Sequence, residues 1–232
     1  MSVAVLIPYA GGDTHRALAL DWVRLRYEWP VVIGTGDADK WCKADAVARA
    51  LQQTDADTLV VADADVWTPN VDEAVRAVER GASWAMPHRT VRRLTEVSTL
   101  AVLSGAMPDK EMELDRNEYA GVIGGGVVVL KRALYDEVPL DSRFIGWGGE
   151  DYAWGFALRT IAGSGARLSG PLWHLWHPPA PRDAKVKIGG NAENEALRRR
   201  YRGARADIQR MRALVGAGVA DPSARDAALR RS

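Results

Sequence analysis

Three short apolar runs in the first third of the chain, residues 3–7, 29–33 and 58–62, constrain the fold more than any other feature. They are apolar throughout rather than alternating, so both faces of each strand are expected to be buried. Between them lie two stretches of helical period. One runs through Ala17, Leu20, Val23 and Leu25, with Asp13 or Thr14 as its cap; the other carries Ala46, Val47, Ala50 and Leu51 on one face. Strand–helix–strand–helix–strand with such runs predicts an α/β fold, a mostly parallel central sheet flanked by helices. Ligands bind such sheets beyond the carboxyl ends of the strands. Arg16, Asp37, Asp63 and Asp65 fall at or just past those ends.

The rest of the chain reads less evenly. Helices are expected at 71–80, 131–137 and 152–162, and strands at 83–86 and 167–172. A weaker helical pattern covers 90–103, a polar loop 104–119, and a glycine-interrupted strand 121–130. Residues 178–190 hold Pro, Lys and Gly without period and read as mobile. From Asn191 one amphipathic helix follows, with Leu197, Tyr201, Ile208, Met211 and Leu214 on one side. Arg198, Arg199, Arg200 and Arg202 lie mostly on the other, a solvated basic face, and the last dozen residues read as frayed. The organisation expected is a catalytic domain over 1–180, then a mobile loop and C-terminal helical extension over 181–232. Within the domain, 1–66 is the nucleotide-binding half and 67–180 the acceptor and metal half.

Composition narrows the class. A formal net charge of +1 argues against nucleic acid or an anionic membrane as the partner. The single cysteine, Cys42, excludes an internal disulfide and fits a reducing compartment. No apolar run approaches membrane-spanning length, and the first one lacks a basic flank and runs into Pro8, as a strand does and a signal peptide does not. A cytoplasmic protein is therefore expected. Nine tryptophans stand against two phenylalanines, several beside charged or His residues, where a flat apolar face with one polar handle suits a binding cleft.

Three clusters carry chemistry. Asp63-Ala64-Asp65 ends the third apolar strand, and strand alternation would turn both carboxylates to one side, as oxygen ligands for Mg²⁺ or Mn²⁺. Trp147-Gly148-Gly149-Glu150-Asp151 joins an indole that stacks on sugar rings, two glycines that let backbone approach a ligand, and two adjacent acids. Paired acids divide hydrogen bonding and proton abstraction, although the same residues also suit a plain helix N-terminus. His174-Leu175-Trp176-His177-Pro178 holds two of the four histidines at a strand end. A turn into the proline would bring both to one metal, and imidazole beside carboxylate suits Mn²⁺ better than Mg²⁺.

Taken in order, with Gly124-Gly125-Gly126 before the tryptophan–glycine–acid segment, these clusters resemble the glycosyltransferases of the GT-A fold. The nearer resemblance is to the C-terminal catalytic region of the β-1,4-galactosyltransferase family and its small phage and bacterial relatives; polypeptide N-acetylgalactosaminyltransferases share part of the pattern. It covers residues 3–180. The resemblance implies a GT-A domain that moves a sugar from a nucleotide-sugar donor, a UDP-sugar, to an acceptor hydroxyl with inversion. It implies Asp65, His174 and His177 as ligands to Mn²⁺, with Mg²⁺ as the alternative, and Asp63 on the ribose or the metal's water shell. Asp151 would be the catalytic base, Glu150 would hydrogen-bond a sugar, and Trp147 would wall the acceptor pocket. Pro8, Tyr9, Arg16, Asp37 and Lys43 would form the nucleotide pocket, with Gly125, Gly126 and Gly149 giving the donor close backbone approach. The chain departs from the family in lacking its Pro-Phe-Arg-x-Arg loop, for which Pro8-Tyr9 and His15-Arg16 are a partial match. The acceptor stays open among glycan, protein and other hydroxyl compounds, with nucleic acid the least expected of them.

Three other readings compete. A retaining N-acetylgalactosaminyltransferase-like enzyme shares fold and metal, but Asp rather than Asn after Trp-Gly-Gly-Glu argues against it. A nucleotidyltransferase would want a basic phosphate loop after the first strand, where Tyr9-Ala10-Gly11-Gly12 offers glycines and no Lys. A non-catalytic sugar-binding domain would leave the two acids and the His pair without purpose.

Overall fold

The computed structural model describes residues 2–36, 40–179 and 190–219. Its first part follows the apolar runs closely: β1 (Val3–Tyr9), α1 (Thr14–Arg24), β2 (Val31–Thr35), α2 (Lys43–Leu51) and β3 (Thr58–Ala62). Both faces of β1 are buried, Leu6 in the core on one side of the sheet and Val5 and Ile7 in the core on the other. This is why its sequence does not alternate. Asp13 caps α1, accepting from the backbone N–H groups of His15 and Arg16, and so fixes Arg16 in the first turn above the sheet edge.

The chain continues through β4 (Val66–Trp67), α3 (Val71–Glu79), β5 (Trp84–Met86), β6 (Thr90–Arg93), α4 (Glu96–Leu103) and β7 (Tyr119–Ala120). Then come β8 (Val127–Lys131), α5 (Arg132–Glu137), α6 (Glu150–Ile161), β9 (Ala166–Arg167) and β10 (Pro171–His174). The six-stranded sheet has the order β2-β1-β3-β8-β5-β9. Its β1, β2 and β3 are parallel, as are β5 and β9, while β8 runs antiparallel to both β3 and β5, so the sheet is mostly parallel, made mixed by one reversed strand.

A second sheet, β4-β10-β6-β7, was not foreseen. Residues 90–93, read as the start of a helix, form its strand β6, and the helix begins only at Glu96 behind the Thr95 cap. Val91 and Leu94 do recur at a helical interval, but both bury in the core below this sheet. Three-residue spacing over so short a span does not separate the two states. The expected strand 121–130 likewise shortens to β8, because Gly124 (φ 94°) and Gly126 (φ 72°) take left-handed backbone that ends a ladder. The 167–172 strand is split by Gly170 (φ 123°) into β9 and β10, one in each sheet.

The single C-terminal helix is two: α7 (Ala192–Gly203) and α8 (Ile208–Gly216). Leu197, Tyr201, Met211, Leu214 and Val215 join Phe144, Trp154 and Leu158 in one core cluster. Arg198, assigned to a solvated face, is buried and held by Glu195. Residues 180–189, most of the stretch read as mobile, and 220–232, the expected frayed end, lie outside the described residues. Among the described residues no helix is long and apolar enough to cross a membrane.

Candidate active site

The two acids after β3 part company. The strand stops at Ala62, so its alternation lapses and Asp63 and Asp65 turn different ways from a tight turn. Asp63 faces Lys43. Asp65 is tied by main chain to β10, its carbonyl accepting from Leu175 N–H at 2.8 Å, and β10 pairs with β4 through His174 and Val66. The second sheet thereby brings Asp65, His174 and His177 together, with one ligand atom from each lying within 4.8 Å of the others.

Both imidazoles are held by neighbouring carbonyls. Nδ1 of His174 lies 2.8 Å from the Leu175 carbonyl and Nδ1 of His177 lies 2.7 Å from the Pro178 carbonyl. A carbonyl only accepts, so Nδ1 of His174 carries the hydrogen, and its Nε2 is turned to Asp65 at 3.9 Å. His177 Nε2 lies 3.1 Å from Asp65 Oδ2, which also only accepts, so without a cation between them Nε2 donates there. Metal-ligating histidines are held in this way by the hydrogen bond of the other nitrogen. Burial alone would raise the Asp65 carboxyl, but contacts with His174, His177 and Arg16 outweigh it and hold the group well below the usual carboxylate range. Burial pushes His174 down to about 4, so near neutral pH its imidazole is neutral and able to ligate. One carboxylate and two imidazoles fit a divalent cation of the Mn²⁺ type.

Across the cleft, α6 opens at Gly149 (φ 93°) and presents Glu150 and Asp151 in its first turn. The buried ammonium of Lys43 lies between two acids, 2.6 Å from Asp63 Oδ1 and 2.8 Å from Asp151 Oδ1. Burial would lower the Lys43 pKa, but Asp151, Asp63 and Glu150 together raise it well above its ordinary value. Burial raises Glu150 to about 7, helped by the charge of Asp151 and opposed by Lys43. Asp63 rises to about 6, with burial first among the causes and Lys43 again opposing. Glu150 Oε2 is buried without a hydrogen-bond partner among the described residues, as a group reserved for a ligand would be.

These groups line one cleft of about 900 Å³. It contains Pro8, Tyr9, Arg16, Lys43, Asp63, Asp65, Trp147, Glu150, Asp151, His174 and His177. Gly125, Gly126 and Gly149 are not among its walls. Gly125 instead leaves room for Asp151, whose Oδ2 would lie 2.9 Å from any Cβ there, and a Cβ on Gly126 would overlap Leu172. Asp37 lies outside the described residues.

Sequence reasoning missed several residues. Trp41 stacks on Trp147, ring centroids 5.3 Å apart, and the excess of tryptophan was the one signal for it. Asn194 of α7 is buried and holds the loop before α6, donating to the carbonyls of Ile145 (2.9 Å) and Gly148 (3.1 Å). No sequence signal marks it. Arg93 and Tyr119 at the far end of the cleft also escaped notice; Arg93 Nε donates to the Tyr119 hydroxyl at 3.1 Å.

By sequence the chain matches no protein-family model and no curated protein. In structure it is similar to glucosyl-3-phosphoglycerate synthase from Mycobacterium tuberculosis in complex with Mn²⁺, uridine diphosphate and phosphoglyceric acid. The TM-score is 0.50 at 14% identity, over 89% of this chain and 79% of that one. The same enzyme in complex with Mg²⁺ and uridine diphosphate gives 0.50 and 14%, over 95% and 80%. At such identity the likeness establishes architecture. The chain has the α/β fold of the GT-A nucleotide-diphospho-sugar transferases, with a mixed central sheet.

Proposed function

We propose that the protein is a metal-dependent glycosyltransferase that moves a sugar from a UDP-sugar to an acceptor hydroxyl with inversion. The observation that carries the reading is the convergence of Asp65, His174 and His177 in the same cleft as Glu150 and Asp151. The fold adds support, since the similar mycobacterial synthase binds Mn²⁺ or Mg²⁺ together with uridine diphosphate. The likeness to the galactosyltransferases is carried by the motifs at 63–65, 147–151 and 174–177.

In this reading Asp65, His174 and His177 hold Mn²⁺ or Mg²⁺, which when bound neutralises charge on the departing diphosphate. The chain's own side chains do the rest. Asp63 meets the nucleotide on the β3 side of the cleft. The acceptor hydroxyl attacks the anomeric carbon, the bond from that carbon to the diphosphate oxygen breaks, and the hydroxyl proton passes to Asp151. Lys43 donates to Asp151 Oδ1 and fixes the carboxylate, leaving Oδ2 to take the proton. Glu150 Oε2 accepts from a sugar hydroxyl, and Trp147 offers an aromatic face to a sugar ring.

The test is UDP release from a panel of UDP-sugars, with and without Mn²⁺, for wild type and Asp151→Asn. Asn keeps shape but takes no proton, so turnover should fall roughly a hundredfold or more while UDP binding stays unchanged. NMR of the product's anomeric centre decides inversion. A folded Asp151→Asn protein with near-normal turnover would remove this base from the scheme.

A further inference from the structure

The transfer scheme leaves the position of Arg16 unexplained. Expected in the nucleotide pocket, Arg16 lines the cleft with its guanidinium against Asp65 and His177. One terminal nitrogen lies 3.1 Å from His177 Nε2, and the other 3.7 Å from Asp65 Oδ2. Its carbon sits 4.2 Å above the Trp147 ring, and the side chain is only 13% exposed. The guanidinium nitrogen near His177 Nε2 also lies 3.3 Å from His177 Nδ1, so Arg16 rests against the imidazole over both ring nitrogens. His177 Nε2 and Asp65 Oδ2 are atoms a metal would use. A guanidinium and a divalent cation cannot share them, and like charges so close in a buried site repel strongly.

We propose that Arg16 is an internal counter-ion of the metal site, competing with the metal until a nucleotide diphosphate draws it away. This rests on the reading of the cleft as a metal and nucleotide site. A diphosphate is the natural alternative partner, because guanidinium pairs with phosphate oxygens in a fixed two-pronged geometry. Its departure frees Asp65 and His177 and uncovers the Trp147 face for a sugar. Metal and nucleotide therefore bind with positive coupling, and the coupling is reciprocal.

The experiment measures Mn²⁺ binding to the protein by electron paramagnetic resonance of free Mn²⁺. It compares wild type, Arg16→Ala, Arg16→Gln and Asp65→Ala, each with and without UDP, with melting temperatures recorded. Gln retains a hydrogen-bond donor toward His177 without the charge, which guards against a misfolded Ala variant. Both Arg16 variants should bind Mn²⁺ alone about tenfold more tightly than wild type, since a like charge beside the site is gone. UDP should improve their Mn²⁺ affinity less than it improves that of wild type. Folded Arg16 variants that bind Mn²⁺ no more tightly than wild type would overturn the competition while leaving the metal site standing. If no protein shows Mn²⁺ binding that Asp65→Ala removes, the metal site falls and the competition with it.

Discussion

At the scale of residues, one cation serves three acids. Lys43 touches Asp63 and Asp151, and Glu150 adds its charge close by. Breaking such a buried arrangement by removing the cation strands the carboxylates, so Lys43→Met should cost about 3–5 kcal/mol by chemical denaturation. Adding Asp151→Asn to it should restore part of that loss, because one stranded charge goes with it; strictly additive losses would mean the two side chains do not interact. Glu150 gives a prediction in pH. Its folded pKa of about 7 lies above the ordinary glutamate value, so between the two the folded protein holds a proton that the unfolded chain releases. The stability linked to that proton is complete below the ordinary value and is lost as pH rises toward 7. Glu150→Gln should therefore match wild type at acid pH and exceed it by at most about 3 kcal/mol above pH 7. Melting curves in chelator at several pH values test this, and a gap independent of pH would contradict it.

At the scale of elements, the site depends on a sheet that local sequence patterns did not announce and on a helix whose part in the cleft they did not show. The apolar runs of β1 and β3 were legible because burial on both faces leaves no alternative pattern. The two-residue strand β4 and the four-residue strand β6 were not, since their pairing with β10 is a long-range choice with no period to read. Asp63 and Asp65 were legible as chemistry but not as geometry: strand alternation was extended one turn too far. Helix α7 is the other case. Its apolar side was evident, yet its contribution to the cleft runs through Asn194, whose amide serves backbone groups on both sides of Gly146. Asn194→Ala removes three part-buried hydrogen bonds, although the Ile145 carbonyl keeps the one from Asn191, and should lower stability by about 1–2 kcal/mol. Turnover should fall along with it as Trp147 and Asp151 lose their fixed place, while Mn²⁺ binding at Asp65 is kept. Unchanged turnover in a folded variant would show that α7 only packs.

At the scale of the whole molecule, the cleft forms where the carboxyl ends of β1 and β3 meet the second sheet and the first turn of α6. Neither sheet alone holds both halves of the chemistry. Arg16 and Lys43 come from the helices that follow β1 and β2, Asp65 from the turn before β4, His174 and His177 from the end of β10 and the segment just past it, and Glu150 and Asp151 from α6. In the proposed scheme this assembly binds a nucleotide diphosphate through a divalent metal. Calorimetric titration of UDP into the protein tests it most directly, with Mn²⁺, in excess chelator, and with Asp65→Ala. Saturable binding with Mn²⁺ that disappears in chelator and in a folded Asp65→Ala variant is the predicted result. UDP binding of equal strength in all three would contradict the account.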